Sequence, residues 1–404
     1  MKKSQLLLFI SSFAIATLFA CSSEQEKKDI SLPTNDSVSK EAQSEKNTSS
    51  TVLPVDSFYN NLAQLVGGKL DRIKMVNAWD QEFVKRYCSK VEEKYAKIET
   101  DRLKKMGDWN NSNMKRNNQV DTSFAFYPFS GGDFIHLNWM YPNASNYLLV
   151  AQEDVGNVPD LSSKDGKFVN EYLNDVDTVL RDIYNKSYFI TKNMNIDTRV
   201  KTLVNGMLPL ILWAVSRTNY EVMSLQFANV NAKGELEFLK EKEPKKKPSA
   251  VQITIRKVGT DQVKTITYVS CDISDKGFTE TPKFYSYLSK AVNENCNSFV
   301  KSASYLLHYT SFEKIRSLIK SKSKYLVQDD TGIPFRNFVK EGNWKIELFG
   351  KYEKPVKDFS SNLYQKDLDS AYKTETYFKG LIDFSLGYHW GSKNQNQMVL
   401  IKNK

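Results

Sequence analysis

Trp79, Phe83, Tyr87, Val91 and Tyr95 recur every four residues, and Val76 and Ile98 extend the stripe. That period predicts one face of a long amphipathic helix ending near Gly107, with its charges on the other face. An aromatic stripe of this kind is packing surface rather than a ligand box, so residues 55–115 read as a helical lead-in. From Ser123 the pattern changes to short apolar runs alternating with helical periodicity, the sign of an α/β layer. Residues 124–129 read as a strand, 133–140 as a short helix and 147–152 as a second strand, a compact βαβ unit. Phe168, Tyr172, Val176, Val179, Leu180 and Ile183 define a further amphipathic helix. Residues 200–215 form a more apolar one interrupted by Pro209, either buried or resting in a lipid headgroup layer.

Strand signals return at 220–230 and 236–239 around a turn at 231–234, and again at 251–258 and 263–273 around Gly259 and Asp261. Two adjacent hairpins bring antiparallel strands, so any sheet here is mixed. The βαβ rhythm then resumes with a helix at 284–292, a strand at 299–307, a helix at 312–319 and a strand at 325–328. The tail adds strand-like 344–349, a helix near 367–372, the apolar run 381–386 and a closing strand at 398–401. No repeat of 20 to 50 residues is present, which disfavours solenoids and propellers. The expected fold class is α/β, a mixed sheet with a βαβ (Rossmann-like) core, hairpin insertions and the helical lead-in. Its segments at 126, 150, 305 and 327 should be neighbouring parallel strands.

The first 54 residues obey another logic. Lys2 and Lys3 precede an apolar stretch from Leu6 to Ala20, too short to span a bilayer and shaped like a secretory signal. It closes with Leu18, Phe19, Ala20 and Cys21, which resembles the lipobox of bacterial lipoproteins. The resemblance implies a signal peptide over 1–20, acylation of Cys21 and a membrane partner reached through that lipid. Ser22 stands where an inner-membrane retention Asp would stand, so outer-membrane anchoring is expected. Glu24 and Glu26 resemble the acidic export signals of Bacteroidota lipoproteins, blurred by Lys27 and Lys28, and leave a periplasmic or a cell-surface face open. Residues 21–54 are dominated by Ser, Thr, Asn, Glu and Lys and read as a disordered tether, roughly 30 Å end to end. Residues 116–404 are then the α/β domain.

The 404-residue chain is globular in composition, with 40% hydrophobic, 12% aromatic and 26% charged residues, which excludes fibres and low-complexity scaffolds. Its net charge of +10 falls to +8 once Lys2 and Lys3 are removed, which favours an anionic neighbour. For an exported chain that means an anionic glycan, acidic lipid or envelope protein rather than nucleic acid. The densest basic run, Lys245 to Lys247 between Pro244 and Pro248, comes after alternating Lys240, Glu241, Lys242 and Glu243 and reads as a solvated loop before a binding patch. With Cys21 acylated, Cys88, Cys271 and Cys296 remain. Cys271 with Cys296 is one candidate disulfide, and three reduced core cysteines are the alternative. No CxxC or Cys/His ligand spacing occurs, and GxSxG, HExxH and P-loop motifs are absent.

In open parallel sheets ligands bind beyond the carboxyl ends of the strands, which singles out the residues just after each expected strand. Ser130, Gly131, Gly132 and Asp133 come after the first, Glu153 and Asp154 after the second, His308 after the third, and Asp329 and Asp330 after the fourth. If the four strands are parallel in one sheet, these residues line one polar pocket. The first βαβ unit invites comparison with dinucleotide and S-adenosylmethionine sites, since Glu153 lies 21 residues after Gly132, where an acid meets the ribose. SGGD is not GxGxxG, however, and Asp133 at a helix start repels a pyrophosphate, so a plain N-cap and tight turn compete. Clustered acids beside a histidine also suit a divalent cation, and hence a metal-assisted hydrolase as the alternative to a noncatalytic envelope binding protein. Loop starts and helix caps are the structural explanation of the same acids, and Arg336 is a candidate partner for one of them. His136 reads as a packing residue and His389 as part of an aromatic turn. FYPFSGGDF from Phe126, YLLVAQEDVG from Tyr147 and QDDTGIPF from Gln328 resemble exported bacterial proteins and lipoproteins of unassigned function, which implies that the three segments lie together. These patterns leave the cofactor unknown.

Overall fold

The computed structural model describes residues 54–114, 123–189, 202–240, 247–390 and 395–403. The expected signal peptide, Cys21, nearly all of the tether, and Lys245 and Lys246 lie outside them. Residues 52–404 form one compact unit.

The lead-in begins with α1 (Ser57–Val66), whose N-cap Asp56 accepts the Phe58 and Tyr59 amides. The aromatic stripe belongs to α2 (Gln81–Ile98), capped by Asp80, with Tyr87, Val91, Tyr95 and Ile98 buried. That helix does not run unbroken to Gly107: a wider π turn over Glu99–Leu103 leads into α3 (Lys104–Asn113). The buried apolar step lengthens there to five residues, Ile98 to Leu103, which is the local sign of the wider turn.

Strand β1 (Phe124–Pro128), α4 (Phe134–Met140) and β2 (Asn146–Ala151) build the expected βαβ unit. Two helices come next, α5 (Gly166–Val179) and α6 (Arg181–Lys186), where the sequence suggests one. After them is α7 (Leu208–Arg217). Pro209 occupies its first turn, where a missing amide hydrogen costs nothing, so the proline starts this helix rather than interrupting one. Every residue of α7 is buried, so the helix is a core element. Strands β3 (Tyr220–Val230), β4 (Leu236–Phe238), β5 (Ala250–Lys257) and β6 (Val263–Ser270) supply the hairpins. Helices α8 (Asp275–Glu280) and α9 (Pro282–Ala291) precede β7 (Cys296–Val300), and α10 (Glu313–Lys322) runs into β8 (Ser323–Gln328). The tail holds α11 (Phe335–Glu341), β9 (Trp344–Gly350), α12 (Lys366–Tyr372), β10 (Phe378–Gly380) and β11 (Asn396–Lys402).

All eleven strands join one sheet in the order β10-β9-β11-β8-β7-β1-β2-β6-β5-β3-β4. The central five, β8-β7-β1-β2-β6, are parallel, with antiparallel strands on both flanks, so the fold is α/β with a mixed sheet. Parallel strands are buried on both faces, and the period of two sorts their residues. Tyr147 and Leu149 pack with α1 to α7 in one core, while Leu148 and Val150 pack with α8 to α12 in the other. The outermost strands are three residues long, which limits edge-to-edge pairing.

Two features position the site. The chain runs from β1 to β2 and β6 on one side, then returns to place β7 and β8 on the other side of β1. The strand order thus reverses at β1/β7, where open sheets leave a crevice. The third parallel strand is also earlier than expected. It ends at Val300, and Ser302, Ser304 and Tyr305 take left-handed conformations (φ 56°, 52° and 56°) that fold the next segment over the rim.

Candidate functional site

The C-terminal ends of β1, β2, β7 and β8 share one rim, and a cavity of about 440 Å³ opens at the β1/β7 reversal. Aromatic side chains make up part of its walls, among them Tyr127, Phe129, Phe189, Phe312, Phe359 and Tyr388. Ser130, Gly131, Asp133 and Glu153 line it, as expected, together with Lys301, Ser302 and Ser304. Phe129, at φ 63°, joins Ser302 and Ser304 among the non-glycine residues held in left-handed conformations around the cavity. Backbone strain of that kind costs of order 1–3 kcal/mol each and concentrates at ligand-binding and switch regions.

At the floor, Asp133 caps α4 by accepting from the His136 amide, and its carboxylate also meets His136 Nδ1 at 2.7 Å. Lys301 Nζ donates to the other carboxylate oxygen at 2.6 Å and also to the Ser187 carbonyl, and Tyr127 approaches from 3.3 Å. All three charged or imidazole groups are at most 2% exposed. Burial works against the Asp133 carboxylate, but His136 and Lys301 outweigh it and hold the group below the usual carboxylate range. Burial pushes His136 down to about 4 and lowers Lys301. Lys301 is the residue that sequence reasoning missed. The signal available was a lysine at the apolar end of SFVKS, since such a lysine is rarely buried without a partner.

Glu153 stands differently. The residue is 4% exposed and lines the cavity, yet its carboxylate takes no hydrogen bond or ion pair from any described residue. Its peptide, in contrast, is clamped. The Tyr268 hydroxyl donates to the Glu153 carbonyl at 2.6 Å, and the Met207 and Leu208 amides donate to the Asp154 and Val155 carbonyls. Just beyond, Gly156 and Gly206 cross so closely that a Cβ on Gly156 would sit 1.7 Å from the Asn205 carbonyl oxygen. Only glycine at φ 73° permits this crossing, which pins the β2 loop to the start of α7.

The remaining expected site residues do not reach the cavity. Gly132 packs beside Leu210 of α7, and Asp154 pairs with Lys247. Asp329 accepts from the Ser302 amide at 3.0 Å and from Thr331. Burial, and then the charge of Asp330, push the Asp329 carboxyl up. Asp330 accepts from Tyr305, from Asn396 at 3.0 Å and from His389 Nε2 at 2.7 Å. Burial opposes its ionisation, but His389 and the other donors hold it low, and that contact raises His389. The structural partner of Asp330 is thus His389, while Arg336 is exposed. His308 belongs to a short 3₁₀ turn, Leu306–His308, with its ring 5.1 Å from that of Tyr305, and burial pushes it down to about 4. Of the nine residues expected to share one pocket, Ser130, Gly131, Asp133 and Glu153 line the cavity, Asp329 and Asp330 belong to a separate buried network, and Gly132, Asp154 and His308 belong to neither.

Among the described residues no group of three or more His, Cys, Asp or Glu side chains is arranged to hold a metal ion. Cys88, Cys271 and Cys296 are free and buried, so the Cys271–Cys296 disulfide is not formed. No described helix is long and apolar enough to cross a membrane. Compared with protein-family models, curated proteins and solved structures, the chain matches none.

Proposed function

We propose that this protein is an outer-membrane lipoprotein, anchored through acylated Cys21, whose α/β body binds a small organic ligand without transforming it. The observation that carries the binding reading is the built cavity at the β1/β7 reversal, partly aromatic-walled and with a few fixed polar groups, the combination typical of small-molecule sites. The lipobox resemblance and the apolar stretch before Cys21 support the anchor. A noncatalytic role is supported by the state of the chemistry in the cavity: the Ser302 hydroxyl is buried without a hydrogen-bonding partner, so no base activates it, and Lys301 is spent on Asp133. A second cavity beside the first, bordered by Lys186, Lys354 and Lys357, is consistent with an anionic glycan or envelope component nearby.

The test uses full-length protein in detergent and a small-molecule extract of the cell envelope. The extract should raise the melting temperature of the wild type and leave Leu306→Trp, which plugs the cavity wall, unshifted. An equal shift in both proteins, or none in either, overturns the binding reading. Cys21→Ala should leave the protein unlipidated and outside the membrane fraction, and unchanged partitioning overturns the anchor.

A further inference from the structure

We propose that Glu153 is the recognition residue of the cavity and that it selects ligands bearing two adjacent hydroxyl groups, the chemistry shared by the ribose of a nucleoside and the ring of a simple glycoside. The inference rests on the cavity being the ligand site and adds what that ligand must carry.

A carboxylate taken out of water without a donor is one of the most unfavourable arrangements a fold can hold, and buried acids are accordingly paired. On this rim the rule is kept elsewhere: Asp133 has Lys301 and His136, Asp154 has Lys247, and Asp330 has His389, Tyr305 and Asn396. Glu153, at 4% exposure, is the exception, and it faces the cavity. Both of its carboxylate oxygens open onto the cavity, so their donors come from what fills that space, solvent or ligand.

The surroundings dictate the form of those donors. An ionised carboxylate offers two coplanar acceptor oxygens and no donor, so it matches a pair of neighbouring O–H groups in a bidentate contact. Lys301 is the one basic side chain among the described residues lining this cavity, and its ammonium is engaged by Asp133 and the Ser187 carbonyl. A phosphate or carboxylate placed against Glu153 would meet an uncompensated like charge. The aromatic side chains in the walls offer flat apolar faces for the C–H side of a sugar or the plane of a base. The acceptor is also preorganised, because the Tyr268 bond and the Gly156/Gly206 crossing fix its backbone before any ligand arrives.

Position in the fold agrees. Glu153 lies just past β2, immediately beside β1 and 21 residues after Gly132, where an acid in open α/β sheets faces the diol of a bound sugar.

Titration calorimetry on the full-length protein, with adenosine and with methyl β-D-glucopyranoside, tests the inference and separates the two sources. At least one should bind. Its deoxy counterpart, 2′-deoxyadenosine or the 3-deoxyglucoside, neither of which keeps two adjacent ring hydroxyls, should bind at least tenfold more weakly, because a site built around a hydroxyl discriminates strongly against its loss. Glu153→Gln should weaken the parent ligand by a similar factor. The ligand-free Glu153→Gln protein should melt no lower than the wild type, since no hydrogen bond or ion pair from a described residue is lost with the charge. Equal binding of parent and deoxy ligands, retained affinity in Glu153→Gln, or no binding of either parent at millimolar concentration overturns the inference. A lower melting temperature of ligand-free Glu153→Gln also overturns it, by marking the carboxylate as structural. If the envelope extract still shifts the wild type and not Leu306→Trp in any of these cases, the cavity remains the ligand site and only the role of Glu153 is lost.

Discussion

Two sets of acids lie on the same rim of the sheet and have been solved differently by the fold. Beyond β8, Asp329 and Asp330 are adjacent, fully buried and closed off by donors from the protein itself: the Ser302 amide, Thr331, Tyr305, Asn396 and His389. Beyond β1 and β2, Asp133 is closed off in the same way by Lys301 and His136, but its neighbour across the cavity, Glu153, is left open. Strand-end acids thus carry no functional meaning by type or place alone. What separates a structural carboxylate from a recognition group is whether the protein finishes its hydrogen bonding.

The largest effect should come from breaking the closed pair on the cavity side. Lys301→Met leaves Asp133 buried without its ammonium and should cost about 3–5 kcal/mol by urea denaturation. Adding Asp133→Leu should return much of that loss, because the pair is a closed unit. If the single variant is as stable as the wild type, Asp133 is no more satisfied than Glu153, and the contrast fails.

Acid titration sharpens the same contrast. His136 is held neutral by burial, with its pKa moved from 6.5 to about 4. Between those values the unfolded chain binds a proton that the folded chain refuses, so stability rises with pH across the window and falls on acidification, by up to about 3 kcal/mol from this group. His308 adds in the same direction, and the raised Asp329 works against both. His389 is raised, so its contribution is full below the unfolded value and is lost only as pH climbs through the folded one. His136→Asn should therefore reduce the pH slope of stability between 4 and 6.5 by close to one proton. An unchanged slope means that His136 is not a closed, neutral member of the cluster.

The smallest effect belongs to the network beyond β8. Asp330→Asn keeps the shape of the side chain but turns one acceptor into a donor facing Tyr305 or His389, which should cost about 1–3 kcal/mol. A gain in stability would instead mean that repulsion between Asp329 and Asp330 dominates, and that this pair, like Glu153, is left unfinished by the protein.

The parallel strands, the hairpins and the capping role of Asp133 were legible in the sequence, because each rests on local period or on a residue type with one favoured place. The end of β7 was not. Phe299, Ala303, Tyr305 and Leu307 sit at odd positions and imitate a strand running to residue 307. The structure keeps only Phe299 in the strand and buries the other three on a turned segment, and no local rule announces left-handed serines at 302 and 304. That misplacement hid Lys301 inside a strand and put His308 on the rim in its place. The Asp330 partner was sought at Arg336, six residues on, whereas His389 arrives from 59 residues away on the segment before β11. Glu153 was named as one acid among several; its lack of a partner is a tertiary fact that no spacing encodes.

The reversal of strand order also bears on how the molecule is made. Residue 125 of β1 lies beside residue 297 of β7, so the two walls of the cavity are separated by much of the body's sequence. Contacts of that separation, in a parallel sheet, form late and slowly. On a chain leaving the ribosome, β1 and β2 have their loop and its glutamate while the opposite wall is still to come. No fragment ending before residue 300 contains both walls of the cavity, and a ligand seated there would fasten together two stretches that are among the last to meet.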